Sequence, residues 1–169
     1  MTQRTSYLGM ECPVARSLEE VGEWWSILIL RDAMLGLRRF DEFQRSLGVA
    51  PTTLTRRLTA LVENGLLVRH RYSQRPPRDE YVLTDKGRDF HPVVVALLAW
   101  GNRHLAGPAG PALVLIDRDN GAVMDPIVVD AATREPIAQR RAVLTAGPGA
   151  GPEIHERLRI AAQRRKANG

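Results

Sequence analysis

The chain has 169 residues, 44% of them hydrophobic and 25% charged, and carries a formal net charge of +5. No apolar run approaches the roughly 20 residues a membrane-spanning helix needs, and no early apolar segment reads as a signal peptide, so a cytoplasmic protein that touches no membrane is expected. Cys12 is the single cysteine, which excludes an internal disulfide and a cysteine-based zinc site built within one chain.

The positive charge is concentrated. Residues 38–88 hold 11 Lys and Arg against 6 Asp and Glu, a net +5 that equals the balance of the whole chain. A polyanion partner requires such a local excess, and an arginine-rich solvated surface gives the same count. Leu18, Val21, Trp25 and Leu28 recur at helical spacing after Cys12-Pro13 and predict a buried stripe. The run Trp25–Leu35 is apolar nearly all round, as a central helix is, and Gly36 ends it. A second helix is predicted over Arg39–Leu47, with Phe40, Phe43 and Leu47 inward and Gly48 as its stop. Another starts at Pro51, whose missing N–H costs nothing in a first turn, and runs to Asn64 before Gly65.

That last helix is the most informative. Leu54, Leu58, Leu61 and Val62 fall at i, i+4, i+7 and i+8, which fixes its inner face and therefore its rotation. The opposite side carries Thr52, Thr53, Arg56, Thr59 and Glu63, with Thr55 and Arg57 on the flanks. Arginine can bond two guanine acceptors at once, and threonine can bond phosphate or touch a thymine methyl, so this face suits a DNA groove. A solvated surface helix has the same composition. After Gly65 the period changes to two: Val68, His70 and Tyr72 alternate with Arg69 and Arg71, and Tyr81 with Leu83 returns after a turn. The pattern predicts a β-hairpin whose connection, residues 73–78, holds two prolines flanked by Arg75 and Arg78. Two helices with an arginine face followed by a basic hairpin is the winged-helix order. Double-stranded DNA is the expected partner, with Thr52, Thr53, Thr55, Arg56 and Arg57 reading bases and Arg39, Arg71, Arg75 and Arg78 on the backbone.

Thr84 is the expected cap of a helix reaching Leu105. Phe90, Val94, Leu97, Leu98 and Gly101 make one stripe, while Val93, Val95 and Trp100 add apolar surface elsewhere, and a helix apolar on several sides needs several neighbours. The same helix of a second copy is one such neighbour, and this chain's own C-terminal part is another. Pro92 must sit in the first turns or kink the helix. A Gly/Pro linker at residues 107–112 marks a domain boundary after a winged domain of residues 1–106. A small β appendage is expected over residues 113–146, with Leu113–Ile116 and Val123–Val129 joined through Asn120-Gly121 and a further strand near Pro136-Ile137 or Val143-Leu144. Residues 147–169 read as a linker and a basic terminal helix bearing Arg157, Arg159, Arg164 and Arg165. The fold class is α+β.

From Cys12 to about Leu105 the sequence resembles the HxlR family of winged-helix regulators. The matching pieces are Cys12-Pro13-Val14, Gly22 with Trp25, Ile27-Leu28-Ile29-Leu30-Arg31, Arg39-Phe40-Asp41-Glu42-Phe43 and Leu54-Thr55-Arg56-Arg57-Leu58, then Asn64-Gly65-Leu66, Pro76-Pro77-Arg78, Glu80-Tyr81 and Leu83-Thr84-Asp85-Lys86-Gly87. The resemblance implies homodimers that pair through the first and last helices of the winged domain and bind inverted-repeat operators. It maps the groove-reading helix onto residues 51–64 and the wing onto residues 69–83. Some members sense oxidants or electrophiles through a cysteine at the position of Cys12. The chain departs from the family at Ala50, where a serine cap is common, and at Trp24, where a lysine is common. Trp24, with Trp25 and Trp100, either lines an effector pocket or packs. Longer members carry a ribbon appendage that can bind zinc, but Asp130 and Thr133 stand in the place of a C-x-x-C pair, so neither metal nor cofactor is expected.

No nucleophile elbow, phosphate-binding glycine loop, zinc-hydrolase motif or dinucleotide fingerprint is present in the sequence, and an enzyme is not expected. The remaining alternative to a DNA-binding regulator is a winged-helix module used for protein contact alone.

Overall fold

The computed structural model describes residues 7 and 9–167. Its elements in chain order are α1 (Pro13–Val21), α2 (Trp24–Met34), α3 (Phe40–Leu47), α4 (Pro51–Glu63), β1 (Leu67–Gln74), β2 (Pro77–Leu83), α5 (Asp85–Arg88), α6 (His91–Leu105), β3 (Leu115–Ile116), β4 (Val123–Met124) and α7 (Pro152–Ala167). Contacts divide the chain into two compact units: Glu23–Pro136, and the residues up to Gly22 together with those from Ile137. The sequence places its boundary instead at residues 107–112. Two polar ties explain why residues 113–136 stay with the winged unit: the Asn102 amide donates to the Leu113 carbonyl at 2.9 Å, and Arg103 Nη2 lies 3.5 Å from Asp125 Oδ1.

The winged unit is built on α2, α3 and α4, whose shared core includes Ile29, Leu30, Phe43, Leu54, Leu58 and Leu61, all fully buried. Burial of each such side chain contributes roughly 1.5–3 kcal/mol, so these few residues anchor the three helices. Gly48, at φ 61°, ends α3 in the left-handed region that a side chain resists. Strands β1 and β2 pair antiparallel from Leu67↔Leu83 to Gln74↔Pro77, with an irregularity between Arg71 and Ser73. A third rung comes from the chain before α3: the Tyr81 N–H donates to the Arg38 carbonyl at 2.8 Å, and Arg39 bridges Glu80. The hairpin is thereby fastened to the helical core as well as to itself.

Several expectations change. The stripe running from Leu18 to Leu28 is not one surface: Gly22, at φ 81° and ψ −134°, separates α1 from α2, and Leu18 is half-exposed. Thr84 caps only the four residues of α5, accepting the Gly87 N–H at 3.1 Å, and a new helix starts at His91 with Pro92 in its first turn. Pro92 has no N–H to donate to the previous turn, so the helical ladder is interrupted just before α6. In the appendage, pairing is limited to Leu115↔Met124, Ile116↔Val123 and the single bridge Val129↔Pro136; residues 143–144 form no strand. Among the described residues, no helix is long and apolar enough to cross a membrane.

The segment Leu83–Gly87 ties the wing, the end of α4 and α5 together. Thr84 Oγ1 donates to the Gly65 carbonyl at 2.6 Å, and Lys86 Nζ donates to the Asn64 carbonyl at 2.9 Å, satisfying groups at the C-terminus of α4. Gly87 is buried, and a Cβ there would lie 2.1 Å from the Leu66 carbonyl oxygen. Gly87→Ala is therefore expected to cost about 1–3 kcal/mol, as overpacking against rigid backbone does. Urea denaturation of the two proteins measures it; equal midpoints would refute the close approach.

Candidate nucleic-acid interface

Helix α4 presents one face to solvent because three leucines hold the other. Leu54, Leu58 and Leu61 have zero exposure, and at 100° per residue this turns Thr52, Thr55, Arg56, Thr59 and Glu63 outward, where all five are exposed. Thr53 is half-buried. The start of α4 has no side-chain cap: Ala50 holds the capping position and Pro51 the first turn. The Thr55 hydroxyl donates back to the Pro51 carbonyl at 2.9 Å. Arg56 has no ion pair or hydrogen bond among the described residues.

Arg57 is a correction to the sequence reading. It is 3% exposed and forms an ion pair with Glu23, the residue that caps α2. Three residues after Leu54 and four before Leu61, it lies beside the inner stripe, so its guanidinium points under the helix and away from any groove. That spacing was visible in the sequence; the partner Glu23, 34 positions away, was not.

The hairpin's arginines separate into two kinds. Arg69 and Arg71 both pair with Asp79, Arg69 Nε at 2.7 Å and Arg71 Nε at 3.0 Å. Arg71, with Arg69 beside it, holds the Asp79 carboxyl below the usual carboxylate range. A carboxyl whose pKa is lowered by folding loses its pairing only as pH falls through that depressed value, so both contacts persist at neutral pH. Arg39 lies over the Tyr72 ring at 5.5 Å and places Nε 3.3 Å from Asp41, so it too has local partners. Arg75 and Arg78, at the outer end of the hairpin, are exposed and make no ion pair among the described residues.

The stripe assigned to dimer contact is divided as well. Phe90, Val94, Leu98 and Gly101 are half-buried, whereas Leu97 is 48% exposed and shares an outward line with Val93 and Trp100. Trp100 meets His104 with the rings tilted at 46° and their centroids 5.3 Å apart. Trp24 is exposed and Trp25 half-buried. Of two surface hollows, one is lined by residues including Leu98, Arg103, Leu115 and Met124 and the other by residues including Leu35, Leu37 and Arg45, and no tryptophan lines either. At the position where the sequence departs from a C-x-x-C pair, Asp130 Oδ1 accepts the Ala132 and Thr133 N–H groups at 3.0 and 2.8 Å, closing the turn by hydrogen bonds. Among the described residues no cluster of three or more His, Cys, Asp or Glu could hold a metal ion, and the residues present do not fit a zinc ribbon.

In the other unit, Cys12 caps α1 with an extended backbone and is partly exposed. The Ala15 backbone amide, helped by Val14 and by the Arg157 guanidinium, lowers its thiol pKa below the ordinary value. Glu11 Oε2 accepts the Gly151 and Ile154 N–H groups at 3.1 and 3.3 Å, which brings the start of α7 beside Cys12.

Residues 20–108 match the family described as HxlR-like helix-turn-helix. The chain belongs to that family. An HTH-type transcriptional regulator of Mycobacterium tuberculosis is 43% identical over 136 residues, spanning 80% of this chain and 86% of the relative. The crystal structure of PA1607, a candidate transcription factor, is 40% identical with a TM-score of 0.76 and covers 85% of this chain and all of that one. The redox regulator HypR in its oxidised form is 33% identical with a TM-score of 0.53, covering 57% of this chain and all of its own. The HxlR-like chain described here is thus a transcriptional regulator with a helix-turn-helix DNA-binding domain, among relatives that are regulators and not enzymes.

The different settings of the two neighbouring arginines give a stability test. Arg57→Ala is expected to destabilise by ~1–3 kcal/mol through lost packing and a broken pair, and Arg56→Ala to stay within about 0.5 kcal/mol of the parent. Guanidinium denaturation distinguishes them, and equal midpoints would show that Arg57 is not buried.

Proposed function

We propose that this regulator acts as a homodimer on an inverted-repeat operator, with α4 in the major groove and the β1–β2 hairpin along neighbouring phosphates. The rotation of α4 carries the proposal. Arg56, unpaired and exposed, is available for a bidentate guanine contact, and Thr52, Thr55 and Thr59 flank it for phosphate oxygens or thymine methyls. The uncapped amides at the start of α4 favour a phosphate in the same place. Arg75 and Arg78 supply the wing's backbone contacts, while Arg71 and Arg39 stiffen the wing through Asp79 and Tyr72. The outward line Val93, Leu97 and Trp100 on α6 is the surface a second copy covers. Two-fold pairing sets the two reading helices about one DNA turn, ~34 Å, apart.

The same reading makes Cys12 the point of regulation. A lowered thiol pKa raises the thiolate fraction at neutral pH, and HypR, similar over 57% of this chain, is a redox regulator. With a small disulfide such as oxidised glutathione, the Cys12 thiolate attacks one sulfur, forming a mixed disulfide and releasing one equivalent of thiol.

Sequencing the genomic fragments retained by the protein yields the operator, which is expected to be an inverted repeat. On that duplex, Arg56→Ala is expected to cost ~1–3 kcal/mol and relax base preference. Arg75→Ala is expected to weaken all duplexes alike and to lower the slope of log affinity against log salt by about 0.9. Fluorescence anisotropy at several ionic strengths measures both, and affinities unchanged in both variants would overturn the assignment of helix and wing. Oxidised glutathione is expected to release the wild-type protein from the operator and to leave Cys12→Ser bound; identical release would remove Cys12 from the reading.

A further inference from the structure

The pair formed by Arg57 and Glu23 has no place in the contacts proposed above, yet it joins the middle of the reading helix to the first residue of the winged unit. Arg57 is almost wholly buried, and its Nε has no hydrogen-bond partner among the described residues. A guanidinium so far removed from water is tolerated only when a carboxylate faces it. Glu23 faces it from a constrained position. Its backbone is extended, its carbonyl accepts the Ser26 N–H at 2.9 Å, and α2 behind it is anchored by the fully buried Ile29 and Leu30. The leucines alone define an inner face for α4, but an apolar contact is non-directional and leaves small rotations cheap. An ion pair between a buried guanidinium and a carboxylate held at the start of another helix is directional and resists rotation.

We propose that the Glu23–Arg57 pair is a positioning contact that sets the angle of α4 about its axis, and so determines where the neighbouring Arg56 meets a base pair. The inference rests on α4 being the DNA-reading helix. It makes Arg57 a specificity determinant that touches no DNA, and it assigns Glu23 a role although Glu23 lies outside the helix-turn-helix altogether.

The test compares full-length wild type, Glu23→Gln, the double variant Glu23→Gln with Arg57→Met, and Arg56→Ala. The probes are the operator duplex recovered from genomic selection and an unrelated duplex of equal length. The Gln oxygen can still accept from the Arg57 guanidinium, so Glu23→Gln is expected to fold with a lowered melting temperature, which circular dichroism at the binding temperature verifies. Glu23→Gln is expected to weaken operator binding about tenfold, comparable to loss of one bidentate base contact. Binding to the unrelated duplex and its salt slope are expected to stay within about twofold, since the phosphate contacts are untouched. If Arg57 were instead a direct groove contact, removing its carboxylate would free it and tighten binding, and that outcome overturns the proposal. The double variant replaces the charged pair with neutral groups; it is expected to melt at or above wild type while operator binding stays reduced. Wild-type operator affinity in the double variant would mean that packing alone sets the angle, which also overturns it. Should Glu23→Gln bind normally while Arg56→Ala is impaired, the positioning role falls and the DNA-reading assignment stands. Should Arg56→Ala bind normally as well, both fall.

Discussion

The arrangement depends on three leucines. Leu54, Leu58 and Leu61 lose all contact with water against a core that includes Ile29, Leu30 and Phe43, and every outward-facing group of α4 is a consequence of that burial. Removing one of these side chains leaves a cavity in a close-packed interior, at a cost of roughly 2–5 kcal/mol. Losing two of them would remove a large share of the ~5–15 kcal/mol that stabilises a typical domain. Recognition chemistry is thereby coupled to core packing: Arg56 has no protein partner of its own to orient it, so its direction is inherited from the residues two before and two and five after it.

Polar contacts then refine what the apolar ones set. Lys86 and Thr84 satisfy carbonyls at the far end of α4, Glu42 Oε2 accepts the Arg38 and Arg39 N–H groups at 2.9 Å each, and Asp79 neutralises two wing arginines at once. Apart from the Thr84 hydroxyl, these contacts use charged side chains. Charge counts therefore overstate the field available to a polyanion. Of the arginines in residues 38–88, Arg39, Arg45, Arg57, Arg69, Arg71 and Arg88 lie against protein carboxylates, and Arg38, Arg56, Arg75 and Arg78 stand without such partners among the described residues.

Much of this was legible in the residues, for reasons that differ element by element. The helix α4 and its outward arginine follow from a leucine spacing that only a 3.6-residue period satisfies, and Gly48 and Gly65 lie where a positive φ is needed. The hairpin follows from alternation bounded by turn residues. Local pattern could not supply long-range partners: Glu23 for Arg57 and Glu11 for the start of α7 are separated by 34 and 140 positions and carry no mutual signal in a single sequence. Pro92 marks the break between α5 and α6 in the sequence, but the apolar run that follows it carries the helical period across. In the appendage, runs rich in valine and isoleucine predicted longer strands than form. A two-stranded ribbon has no second layer on which to bury those side chains, so β propensity alone cannot propagate the ladder.

That last shortfall bears on how α6 is used. Its half-buried line, Phe90, Val94, Leu98 and Gly101, lies about one-quarter of a turn from the outward line of Val93, Leu97 and Trp100, and Asn102 with Arg103 adds a third direction toward the appendage. An isolated helix with apolar groups pointing two ways and polar ties a third has little reason to be straight and continuous for 15 residues unless several surfaces need it at once. The proline that separates it from α5 is consistent with this. Without an N–H at Pro92, α6 does not continue the hydrogen-bond ladder of the short helix that Thr84 caps, so the two helices are separate elements.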